Sequence, residues 1–125
     1  MRDLRVYTDE CVKELSTIGI KCGKIIGVEP NYRAKKRWGQ CKRVPGGFRI
    51  NINAELLEDD CPEKALKETI CHELLHTCNG CLNHGPKWKQ LANIVNRSYG
   101  YHISRGSTAE EKGVPENKMA KVTKQ

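Results

Sequence analysis

Residues 71–85 read CHELLHTCNGCLNHG, and they hold three of the chain's four histidines within thirteen positions. His72 and His76 are four apart. On a helix both imidazoles leave the same face, one turn apart. That spacing lets two ring nitrogens reach one metal ion at about 2.0–2.1 Å. Glu73 follows His72 directly, about 100° further around the axis. It cannot easily join both histidines as a ligand, but it can reach a water held on the metal. Two ligands and a general base is the mechanical logic of H-E-x-x-H on a helix.

A third ligand is needed, and His84 is the candidate. Asn79-Gly80 stops the helix soon after His76, and Gly85-Pro86 starts the next one directly after His84. A helix stop, a short loop and a helix start thus bring a third imidazole back. Three neutral histidines leave the ion its full charge and one open position, the catalytic type of zinc site. Zinc lowers the pKa of its bound water to about 7. Glu73 would take the proton as that water attacks a carbonyl and return it to the leaving amine, which is peptide hydrolysis. Unrelated polar residues could also fall in this pattern, but only through three coincidences. Cys78 and Cys81 form one C-x-x-C inside the same loop. Packing of the turn is the first reading, and a redox or metal-modulating pair, sensitive to oxidation, the second.

The elements around the motif follow from periodicity. Leu4, Tyr7, Cys11, Leu15 and Ile18 make one helical stripe over 3–18, with Asp3 to cap it and Gly19 to end it. KIIGVE (24–29) and FRININ (48–53) read as strands, the second alternating with Phe48, Ile50 and Ile52 on one face. Residues 34–44 read as an exposed or edge strand, followed by a turn at PGG (45–47). The motif helix is capped at Asp60 or Cys61, with Pro62 in its first turn and Ala65, Leu66, Thr69, Ile70, Leu74 and Thr77 on one face. The next helix buries Trp88, Leu91, Ala92 and Val95 and ends near Tyr99-Gly100. The fold class is α+β, with about three mostly antiparallel strands. Residues 1–105 form one domain and 106–125 a loose polar tail.

The net charge is +7, and its place is more telling than its size. Residues 31–54 hold no acidic group but carry Arg33, Lys35, Lys36, Arg37, Lys42, Arg43 and Arg49. A basic face over 33–49 suits DNA or RNA as partner, or a solvated sheet surface. The same stretch is the candidate edge for an extended peptide substrate. Seven cysteines, an odd number, with no export signal argue against a disulfide framework and for the cytoplasm. No run is long and apolar enough for a membrane span. A monomer is expected. Trp38 and Trp88 read as core. The sequence does not identify a second donor for the oxyanion: Tyr99, Tyr101, His102 and Arg97 follow the third helix closely enough to swing in, with a surface residue as the first reading of His102.

HELLH followed by NHGPKW resembles the SprT-like zinc metallopeptidases, a family that includes Spartan-type proteases acting on DNA–protein crosslinks. KRWGQC (36–41) is similar to the family's upstream signature, and the likeness runs over about residues 24–100. The resemblance implies a small zincin-like α+β domain, zinc held by His72, His76 and His84, and Glu73 as base. Many members carry a C-terminal zinc ribbon with two pairs of cysteines. No cysteine follows Cys81 here, so a bare catalytic domain is expected.

Two functions stand against each other. One is a zinc-dependent peptidase, acting on nucleic-acid-associated proteins. The other is a basic nucleic-acid-binding domain whose zinc only holds the fold. A structural site has no use for Glu73 and would normally close with cysteine. A zinc hydrolase acting on nucleic acid is a third reading, which does not need the H-E-x-x-H pairing.

Overall fold

The computed structural model describes residues 1–34, 36–106 and 108–114. Helix α1 (Leu4–Thr17) starts where Asp3 accepts hydrogen bonds from the backbone N–H of Arg5 and Val6. It is followed by β1 (Ile25–Asn31), β2 (Gly39–Val44) and β3 (Gly47–Asn53). A 3₁₀ turn (Ala54–Leu57) leads to α2 (Glu63–His76), then α3 (Pro86–Tyr99) and the short α4 (Ala109–Lys112). This is the expected α+β arrangement. Among the described residues no helix is long and apolar enough to cross a membrane.

The sheet order is β1-β3-β2. β2 and β3 form an antiparallel hairpin in which Val44 pairs with Gly47. Pro45 presets the turn and Gly46 takes φ +87°, the conformation that a type II turn requires at its second position. β1 pairs with β3 in parallel, Val28 opposite Ile50. The sheet is therefore mixed rather than mostly antiparallel. The connection between β1 and β2 carries the chain past β3, so β1 and β3 run the same way; local alternation carries no record of that crossing. Of the stretch read as one strand over 34–44, only 39–44 joins the ladder.

Helix α2 starts one residue later than expected, with Pro62 as the flanking residue and no side-chain cap. Its second half is buried all round, from Glu68 through His76. α1 covers one side, the sheet another and α3 a third, so a single apolar stripe would not suffice. Leu66, Ile70, Leu74 and Leu75 join Trp38, Ile50, Ile52 and Trp88 in one core. Gly100, at φ +70°, closes α3 in the left-handed conformation.

The expected tail from residue 106 enters the fold at its start. Thr108 and Glu111 form a reciprocal capping box, each backbone N–H bonding the other's side chain at 3.1 Å. Lys112 and Val114 are buried. The remainder, 115–125, lies outside the described residues.

Candidate metal centre

The end of α2 and the loop after it assemble the site. Thr77 and Cys78 donate back to the carbonyls of Leu74 and Leu75. Gly80 turns the chain at φ +78°. Lys87 then bonds the Asn79 carbonyl at 2.6 Å, and Asn83 accepts from the Gly85 N–H. This close lacing delivers His84. Its Nε2 lies 3.0 Å from Nε2 of His72 and 3.1 Å from Nε2 of His76. Two nitrogens bound tetrahedrally at zinc's usual distance stand about 3.3–3.4 Å apart. The trio therefore needs only a few tenths of an ångström of adjustment to hold one ion.

The ring orientation fits as well. His76 Nδ1 donates to the Cys81 carbonyl at 2.8 Å, which leaves Nε2 with its lone pair facing the trio. His72 is held by the Ser104 backbone. Trp88 packs under all three rings, with centroids 4.6 to 5.4 Å away. Burial drives the His72 pKa down to about 2, helped by His76, His84 and Lys112. Burial likewise takes His84 down to about 4 and His76 below the usual range. All three are neutral at pH 7, the form that binds metal.

Glu73 is 2% exposed, and its Oε2 has no hydrogen-bond partner among the described residues. That oxygen sits 3.9 Å from His72 Nε2. A buried carboxylate without a donor is costly unless a ligand completes it. Burial pushes its pKa up to about 8, against the pull of Lys112 and Arg37. Gly39 makes room for it: a Cβ there would lie 3.1 Å from Glu73 Cγ and Oε2.

Lys112 comes in from the far end of the chain. It donates to Thr69 Oγ1 at 2.8 Å, and its Nζ lies 5.5 Å from the Trp38 ring centre. Thr69 is one turn before Glu73 on α2. Burial lowers the Lys112 pKa to about 8, with Glu68, Glu73 and Glu111 opposing.

The structure thus gathers His72, His76, His84 and Glu73. It does not turn the tyrosines toward them. Tyr101 donates to Glu14 Oε1 at 2.7 Å and Tyr99 to the Glu14 carbonyl at 2.9 Å, both on α1. His102 is anchored by its backbone N–H on Glu68 while its ring stays exposed, and Arg97 lies on the open side of α3. All seven cysteines are free. Cys81 donates to the Asn79 carbonyl and Cys78 to the Lys21 carbonyl, so the C-x-x-C packs the turn. Reading the sequence missed the Cys81 carbonyl, Ser104 and Lys112. Gly39 stood in the KRWGQC match, but nothing local indicated its contact with Glu73.

Comparison with known proteins adds two findings. A family model described as the SprT-like family matches residues 9–110. The fold is similar to the crystal structure of the metallopeptidase zymogen of Methanocaldococcus jannaschii jannalysin. Identity is 21%, the TM-score 0.48, and the match covers 79% of this chain and 83% of that one. No curated protein matches the chain.

Proposed function

The chain belongs to the SprT-like family, and from that membership we propose that it is a zinc-dependent metallopeptidase with Glu73 as its general base. The observation that carries this reading is the pairing of a convergent His72–His76–His84 trio with a buried, unpartnered carboxylate beside it. Three imidazoles would hold the ion, and nitrogen donors without thiolate suit zinc at a catalytic site. Once bound, zinc supplies Lewis-acid activation of water and of the scissile carbonyl.

The chain's own residues supply the rest. Glu73 accepts the proton of the attacking water at Oε2 and later hands it to the leaving amine. Cys81 and Ser104 keep the two helix histidines oriented. β2 is an edge strand, and its first residue, Gly39, touches Glu73. An extended substrate added to that edge would pass beside the base.

Arg33, Lys36, Arg37, Lys42 and Arg43 are exposed on β2 and the connection before it. This supports substrates that are acidic or associated with nucleic acid. A nucleic-acid-binding domain with a purely structural zinc would leave the burial of Glu73 without purpose. Casein cleavage that disappears with a chelator and returns with zinc is the test; a metal-loaded protein that never cleaves would refute the reading.

A further inference from the structure

We propose that Cys22 and Cys78 form an oxidisable dithiol, which a hydroperoxide joins as a disulfide across the foot of the metal helix. The two segments that carry them are laced together. Gly23 donates its N–H to Thr77 Oγ1 at 2.9 Å. Cys78 Sγ bonds the carbonyl of Lys21 at 3.7 Å. A Cβ on Gly23 would come within 2.6 Å of the Thr77 carbonyl oxygen, so only glycine permits this approach. The side chains of Cys22 and Cys78 therefore meet across that contact, each acting on the other electrostatically.

The rival pairings are less favourable. Cys81 directs its sulfur to the Asn79 carbonyl, back along its own turn. Cys11 and Cys71 are also close to each other, but both are wholly buried. Cys22 is only half-buried, so a small oxidant can reach it.

The chemistry closes with one hydroperoxide. One of the two sulfurs, as its thiolate, attacks the peroxide O–O bond and becomes a sulfenic acid, while the freed oxygen takes up the thiol proton and leaves as the alcohol, or as water when the oxidant is hydrogen peroxide. The other sulfur then attacks the sulfenic sulfur. The S–S bond forms, the S–O bond breaks, and hydroxyl leaves with the thiol proton as water. Two thiols have given up two electrons, and one O–O bond has been reduced.

The cross-link would tie residue 22 to the start of the loop that presents the Cys81 carbonyl and His84. It would close the chain segment from 22 to 78, which should raise Tm by roughly 5 °C or more. The thiol chemistry holds whether or not the protein is a peptidase.

The zinc-loaded 125-residue chain is treated with one equivalent of hydrogen peroxide, alkylated with iodoacetamide and digested without reductant. Mass mapping should find the Cys22 and Cys78 peptides joined, and dithiothreitol should separate them. Cys22→Ser should abolish both the link and the rise in Tm. Cys78 joined to Cys81, both thiols still alkylated, or Cys22 carried on to the sulfinic acid would each overturn the proposal. The map of the unaltered chain decides on its own, so a variant that misfolds does not shelter it.

Discussion

Gly39 of β2 lies against the Glu73 carboxylate of α2, so close that a single added methyl would stand 3.1 Å from Oε2. The same methyl would stand 3.1 Å from the Asn51 carbonyl oxygen, which belongs to the sheet and yields little. Gly39→Ala should therefore move the carboxylate and leave the histidines in place. The expected result is unchanged zinc content with kcat/KM lowered roughly 10- to 100-fold, the scale of a small misplacement of a reacting group. Full activity would show that Glu73 tolerates displacement and is not the base.

Glu73→Gln separates the base from the ligands. Zinc stoichiometry should stay the same while hydrolysis falls by about 10²–10⁴. The metal-free variant should be no less stable than the parent above pH 8, because there the parent carries an ionised, unpartnered carboxylate and the amide carries no charge. Calorimetry of the two apo proteins checks the second half. A variant that turns over normally contradicts the first.

Acid should unfold the metal-free protein through the histidine trio. The folded pKa values, about 2 for His72 and about 4 for His84, lie below the unfolded value near 6.5. Below pH 6.5 the unfolded chain takes up protons that the folded chain refuses, so stability falls as pH falls. Each such histidine contributes about 1.4 kcal/mol per pH unit at most. Glu73 acts the other way between about 4.5 and 8, since it is protonated in the folded chain and ionised in the unfolded one. One carboxyl opposes several imidazoles, so the net slope is loss in acid. Urea titrations of the apo protein between pH 7 and 5 should show a falling midpoint; a flat or rising one would contradict the neutral trio.

Lys112, bonded to Thr69 one turn before Glu73, helps hold Glu73 in its ionised form. Lys112→Met removes that cation and keeps most of the volume. The Glu73 pKa should rise, and the acid limb of the kcat/KM profile should move to higher pH. Folding should change by less than about 1 kcal/mol, because a buried ammonium is costly to keep. An unmoved limb would show that Lys112 serves packing alone.

The spacing of His72, Glu73 and His76 was legible because helical period alone fixes which side chains share a face. His84 was legible through the stop at Gly80 and the restart at Pro86. The strand direction was not, since β1 lies parallel to β3 only because of the connection between β1 and β2. The Cys81 and Ser104 backbone groups were invisible for a simpler reason: every residue has a backbone, and only the fold says which one faces a ring. Lys112 read as one more tail lysine. Its burial depends on the capping box at Thr108 and Glu111, whose four-residue pattern is weak without the surface it docks on.

Zinc K-edge X-ray absorption on the purified chain tests the central geometry most directly. The account predicts one zinc per chain, with about three imidazole nitrogens at 2.0–2.1 Å, one further oxygen and no sulfur. A sulfur shell near about 2.3 Å would place the metal on cysteine instead and contradict it.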